Sequence, residues 1–219
     1  LQRVCLKLAE ENLHTVMPGY THAQPAQPVT FAHHMLAYIW MWERDKDRLY
    51  TCRERIRAEC PLGVCALSGT SYPVDRKFVA ESLGFKGVSS NSLDTVSSRD
   101  FILEYVFILS LLGLHLSRLH SDLVLWSIPE FGFVKLPEEY TTGSSIMPQK
   151  RNPDVSELIR ARVGRFYGYL LHLLTVLKGM PLGYHRDLQE DKVPLNQVTE
   201  LMKACLTLTA DMLDRMQVF

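Results

Sequence analysis

Gly143-Ser144-Ser145-Ile146-Met147-Pro148-Gln149-Lys150-Arg151-Asn152-Pro153 lies between two long apolar-periodic segments, and its reading decides the fold. It reads as a loop that feeds a helix. Gly143 permits backbone angles that other residues avoid. Asn152 followed by Pro153 gives a helix start, with a capping side chain and then proline at the first helical position. Two hydroxyls, an amide and two cations precede that start. Hydroxyl, cation and helix N-terminus together can hold and stabilise an anion.

Upstream of the loop, Phe101, Tyr105, Ile108, Leu112, Leu116, Leu119 and Leu123 recur at spacings of three and four. That period predicts a helix over 99–128, capped by Ser97 or Ser98 and ended by Pro129. Many intervening positions are apolar too, which predicts burial on most sides. One slender bundle would leave this helix partly exposed, so the pattern points to a homo-oligomer built on helices. Downstream, a helix is predicted from Pro153 to Lys178, stopped by Gly179 with Pro181 behind it. A polar connector over 183–192 leads into a last helix, from about Pro194 to the end.

Nearer the start, a first helix is expected to about Val16. A proline-punctuated polar loop follows over Tyr20–Pro28, where Gln27 and Pro28 serve the turn. Then come a long helix over 30–58, a Gly- and Ser-rich loop over 61–72, and a short helix over Val74–Leu83 closed by Gly84. Residues 87–96 read as another polar loop, with Asn91, Ser92 and Asp94. No segment shows a convincing period of two. The expected fold is all-α, an elongated bundle of long helices. Residues 1–219 read as one helical domain that begins and stops inside helices, a piece of a longer protein.

The totals narrow the function classes. The 219 residues are 47% hydrophobic and 22% charged, as in ordinary globular proteins. Lys plus Arg equal Asp plus Glu at 24 each, so net charge gives no pull towards nucleic acid. Five cysteines without paired spacing read as reduced thiols, consistent with a cytoplasmic protein. No signal peptide opens the chain, and no uninterrupted apolar run reaches transmembrane length. Neither a Walker loop nor Gly-x-Gly-x-x-Gly, Gly-x-Ser-x-Gly or His-Glu-x-x-His occurs. His33 and His34 point about 100° apart on a helix and read as satisfied helix histidines, not as a metal pair.

Chemistry-bearing side chains gather in four polar loops. One holds Thr21, His22 and Gln24; a second holds Asn91 and Asp94. The third holds Ser144, Ser145, Lys150 and Asn152, and the fourth runs from Tyr184 to Lys192. Cations and amides suit carboxylates, and histidine titrates near neutral pH. The inventory fits a small polyanionic substrate and proton transfer.

The loop around Ser144 resembles the signature of the fumarase/aspartase superfamily, Gly-Ser-Ser-x-Met-Pro-x-Lys-x-Asn-Pro, at every fixed position. Gly19-Tyr20-Thr21-His22-x-Gln24 resembles the first loop of that superfamily. Pro61-Leu62-Gly63, Asp75-Arg76, Asn91-Ser92-Leu93-Asp94 and Ser98-Arg99-Asp100-Phe101 are similar to segments of its argininosuccinate lyase family. So are Gln149 and, most specifically, Tyr184-x-x-Asp187-Leu188-Gln189-Glu190-Asp191-Lys192. Arg151 and Arg186 depart from the family, which more often has lysine at each place. By that resemblance the 219 residues are expected to lack the family's N-terminal region and C-terminal domain.

The resemblance implies reversible elimination of argininosuccinate to arginine and fumarate, with neither metal nor organic cofactor. It implies Ser144 as base and His22 as the second acid–base group, with Lys150 and Asn152 stabilising the anion. Thr21, Gln24, Tyr184, Arg186, Gln189 and Lys192 would hold the substrate's carboxylates and amino-acid end. Ser145 reads as a loop-shaping hydroxyl. A homotetramer is implied, each site drawing loops from three subunits. Alternatives are another fumarate-releasing lyase, adenylosuccinate lyase first among them, or a catalytically inert structural bundle.

Overall fold

A computed structural model describes residues 1–219. Seven α-helices dominate: α1 (Gln2–Glu11), α2 (Phe31–Ile56), α3 (Arg76–Ser82), α4 (Ser92–Ser97), α5 (Asp100–Trp126), α6 (Asp154–Leu177) and α7 (Lys192–Arg215). Two small antiparallel pairs accompany them. One joins β1 (Val16–Thr21) to β2 (Gln24–Thr30), and the other joins β3 (Val134–Lys135) to β4 (Gln217–Val218). The all-α expectation holds, and the four long helices fall within a few residues of their predicted bounds.

The chain forms two compact units, and α2, α5, α6 and α7 each divide their residues between them. Unit 1 comprises Leu1–Asp45, Leu111–Gly164 and Glu200–Phe219; unit 2 comprises Lys46–Ser110 and Arg165–Thr199. In unit 1 the buried apolar side chains of α5 are Leu112, Leu116, Leu119, Leu123 and Trp126, which continue the three-and-four stripe that predicts the helix. They share a core with Phe31 and Met35 of α2, Ile159 of α6, and Met212 and Leu213 of α7. In unit 2 the core holds Ile102, Val106 and Leu109 with Cys52, Phe166, Leu173 and Val198. Each fully buried aliphatic or aromatic side chain is worth about 1.5–3 kcal/mol against exposure.

By length and composition α5 is apolar enough to cross a membrane. Several of its polar side chains, however, are partnered inside the protein, as in the core helix of a bundle. His115 Nδ1 lies 2.5 Å from Asp45 Oδ2, and Asp122 Oδ2 meets both His34 Nε2 at 2.7 Å and the Tyr38 hydroxyl at 2.6 Å. His120 Nε2 lies 2.9 Å from Thr209 Oγ1. Of the two adjacent histidines, His34 is therefore satisfied by Asp122, while the His33 ring has no partner and its backbone N–H meets the capping Thr30 hydroxyl at 3.1 Å.

Several expectations are corrected. The first helix stops at Glu11 rather than near Val16. The proline-marked stretch after it is a β-hairpin, not a loop, despite the lack of a visible period of two. A two-stranded ribbon has only edges, so prolines sit where no ladder donor is needed. Gly19 is required by space: a Cβ there would lie 2.8 Å from the Gln27 carbonyl oxygen. Residues 92–97, read as loop, form α4 because the Asn91 side chain accepts from the N–H groups of Leu93 and Asp94 at 3.1 and 3.0 Å. Gly179 does close α6 as expected, with φ at +75°.

Candidate active site

His22 occupies the tip of the β1–β2 hairpin in unit 1, between the paired Thr21 and Gln24. His22 and Ala23 both adopt left-handed backbone angles, φ +51° and +59°. A two-residue hairpin turn of type I′ requires positive φ at both central positions, a role usually taken by Asn and Gly. Neither residue is glycine, so the turn is strained by roughly 1–2 kcal/mol per residue. The strain holds an exposed imidazole at the hairpin tip, where it makes no hydrogen bond or ion pair within the chain.

The loop carrying Ser144 is tied at its base. Thr142 and Asn152 form an antiparallel bridge, with N–H···O distances of 3.1 and 2.8 Å. The Thr142 hydroxyl also donates to Asp154 at the start of α6. Within the loop, Ser144 Oγ accepts from the backbone N–H groups of Ile146 and Met147 at 3.3 and 3.2 Å. These donors favour negative charge on that oxygen. Arg151 braces the turn from inside, its Nη1 donating to the carbonyls of Pro148 and Lys150 at 3.0 and 3.2 Å. Lys150 itself is exposed and its ammonium has no partner in the chain.

Three details of the sequence reading change here. Asn152 does not cap α6; its side chain turns back to the Thr142 hydroxyl at 3.5 Å, and the helix begins one residue late at Asp154. Gly143 does not use a left-handed angle, and a Cβ there would make only ordinary contact with Arg151 Nη1 at 3.6 Å, so neither angle nor space requires glycine. Asp154 and Glu157 occupy the first turn of α6, so that helix already answers its own N-terminal dipole.

Thr21, His22, Gln24, Ser144, Lys150 and Asn152 all belong to unit 1, and no hydrogen bond joins the hairpin tip to the Ser144 loop. Tyr184, Arg186, Gln189 and Lys192 belong to unit 2. There they are gathered on one connector whose 3-10 turn spans Arg186–Asp191. The Tyr184 hydroxyl accepts from Gln189 Nε2. That bond, then one from Arg186, holds the phenol below the usual tyrosine pKa, with the Arg186 and Lys192 charges adding to it. Ser145 is exposed and its hydroxyl has no partner in the chain. No three or more His, Cys, Asp and Glu side chains cluster to hold a metal. Thr142 and the Arg99–Asp191 pair, which support these loops, carry no functional reading from the sequence; Thr142 is an exposed hydroxyl, and the ion pair is signalled only by charges that the fold largely buries.

Long helices that present strained and braced polar loops, which together offer hydroxyls, amides and cations, define the class as a helical-bundle protein. A family model described as lyase matches residues 1–168, and the chain belongs to that lyase family. It is 54% identical over 218 residues to an argininosuccinate lyase of Bacillus cereus, covering all of this chain and 47% of that protein. It is 53% identical over 213 residues to an argininosuccinate lyase of Carboxydothermus hydrogenoformans, covering 97% of this chain and 46% of that one. The chain thus spans about half the length of the curated relatives it matches. Among solved structures, an EDDS lyase in complex with formate superposes with a TM-score of 0.85 at 30% identity, over 99% of this chain and 43% of that one. A class II fumarase from Schistosoma mansoni shares the fold alone, with a TM-score of 0.86 at 20% identity over 99% of this chain and 50% of that one.

Proposed function

We propose that this chain is the helical part of an argininosuccinate lyase, acting in the reversible elimination of argininosuccinate to arginine and fumarate. The observation that carries the reading is Ser144 Oγ accepting two backbone N–H groups inside the braced loop, since an isolated serine is a poor base. Likeness along the whole chain to two argininosuccinate lyases supports the choice of substrate.

In this reading Ser144 removes a proton from the carbon beside a substrate carboxylate. The electron pair moves into that carboxylate as an aci-carboxylate, then forms the double bond of fumarate as the C–N bond breaks. His22 protonates the departing guanidinium nitrogen. Lys150 and Asn152 stabilise the aci-carboxylate, and fixed donors at a developing charge are usually the largest catalytic contribution. Thr21, Gln24, Tyr184, Arg186, Gln189 and Lys192 hold the carboxylates and the amino-acid end. The steps use side chains only, so the reading assigns no metal and no organic cofactor. It places the protein in the cytoplasm, with no nucleic-acid or membrane partner.

The assembly in this reading is a homotetramer whose sites draw on three subunits. Exposed apolar side chains support it: Phe101, Phe107, Leu114 and Leu125 on α5, and Trp40 and Tyr50 on α2. The test is fumarate release from argininosuccinate, followed by ultraviolet absorbance, with the full-length protein. Ser144→Ala should lower kcat by roughly 10³-fold with the helices intact by circular dichroism. Unchanged turnover in that variant would sink the assignment of the base. A folded wild-type protein that ignored argininosuccinate would sink the substrate.

A further inference from the structure

The connector over 183–192 alternates anchors with free side chains. Gly183, Leu188 and Asp191 are buried, whereas Tyr184, Arg186, Gln189 and Lys192 are exposed. Each end of the connector is fastened to the junction between α4 and α5. At one end the Gly183 N–H donates to Ser97 Oγ at 2.6 Å, and that hydroxyl donates to the Leu93 carbonyl at 2.7 Å. At the other, Arg99 Nε donates to Asp191 Oδ2 at 2.7 Å. The same guanidinium reaches the carbonyls of Ser98 and Val96 at 2.7 and 3.3 Å, so its plane is fixed from both sides. The second carboxylate oxygen of Asp191 lies 3.2 Å from Lys192 Nζ. Side-chain exposure is 19% for Arg99 and 10% for Asp191 but 61% for Lys192. One carboxylate therefore links a largely covered cation, held by three contacts, to an exposed one.

We propose that Arg99, acting through Asp191, is a positioning residue that aims Lys192 and sets the presentation of Tyr184 and Gln189 to an anionic substrate. This deepens the argininosuccinate reading and rests on it. Arg99 touches no substrate in this account. It offers a planar fork where a lysine offers one point charge, so Arg99→Lys preserves charge but not the three directions of contact. Groups that hold a substrate's carboxylates act equally on ground and transition states, so their misplacement shows in KM more than in kcat. Loss of one hydrogen bond to a charged group corresponds to roughly 10- to 100-fold in binding.

The experiment measures kcat, KM and thermal unfolding for full-length wild type, Arg99→Gln, Arg99→Lys, Asp191→Asn, Lys192→Met and the double variant Arg99→Gln/Lys192→Met. Arg99→Gln and Asp191→Asn should each raise KM for argininosuccinate roughly 10- to 100-fold, with kcat moving far less. Arg99→Lys should recover only part of that. In the double variant the KM increase should fall well short of the product of the single effects, because both changes remove the same contact. An unchanged KM in folded Arg99→Gln, or effects that simply multiply, overturns the proposal and leaves the substrate reading intact. An unchanged KM in Lys192→Met overturns the substrate-binding role of the connector, and the proposal with it. Should Arg99→Gln fail to fold, Ser97→Ala releases the other anchor; an unaltered KM there also overturns the proposal.

Discussion

His120 should make this protein sensitive to acid in a way that one substitution removes. The ring is fully buried on α5, in the core of unit 1. Thr209 Oγ1 already donates its proton to the Cys205 carbonyl at 2.6 Å, so it accepts from His120 Nε2–H. Nδ1 is then left bare and without a partner. Nothing nearby compensates a positive charge, and burial pushes the histidine pKa from 6.5 down to about 3. The unfolded chain binds a proton below pH 6.5 while the folded chain does not, so stability falls with falling pH through the window from 6.5 to about 3. Each unit of pH in that window is worth about 1.4 kcal/mol. At pH 4.5 the loss relative to neutral pH is about 2.7 kcal/mol from this residue alone. His120→Gln keeps a donor for Thr209 but cannot take up the proton. Urea unfolding from pH 7 to 4.5, at one protein concentration, should give a shallower decline for His120→Gln than for wild type. Parallel declines would refute the argument, because they would mean that His120 is protonated without unfolding or that it titrates alike in both states.

Ala23→Gly should stabilise the protein by about 0.5–1 kcal/mol, since it relieves the left-handed alanine beside His22 more than it loosens the unfolded chain; calorimetry would show a rise in Tm of a few degrees at most. Gly19→Ala should cost about 1–3 kcal/mol, because its Cβ would meet a backbone carbonyl that cannot move without breaking the hairpin; the same calorimetry checks it. Arg151→Ala should free the carbonyls of Pro148 and Lys150 and loosen the Ser144 loop without unfolding the helices. Limited proteolysis should then cut within 144–150 faster than in wild type, and an unchanged rate would show that the arginine does not brace the turn.

The long helices were legible because burial repeats along them at a period the sequence displays: Leu116, Leu119 and Leu123 are apolar for the same reason that they are buried. The hairpin was not, because Pro18, Gly19, Pro25 and Pro28 are the residues of loops everywhere except on a ribbon with two edges. Its signal lay in the backbone angles of His22 and Ala23, which no residue type announces. Asn152 was misread for a related reason. Its capping preference is real, but Thr142, ten positions earlier, offers both backbone and hydroxyl partners, and that closure fixes the start of α6 one residue later.

The exposed groups proposed to meet substrate stand together in one polar stretch of the sequence, and their roles follow from the resemblance of that stretch to a known family. Their supports do not stand together. Arg99 and Asp191 stand 92 positions apart, and either one alone reads as a solvated surface charge. A charge is held in a fixed place only when burial makes leaving it unpaired costly, by about 3–5 kcal/mol for a pair of this kind. That cost exists only once the connector and the start of α5 have come together. The side chains proposed to meet a substrate are therefore written locally, and the accuracy with which they are held is a property of the assembled fold.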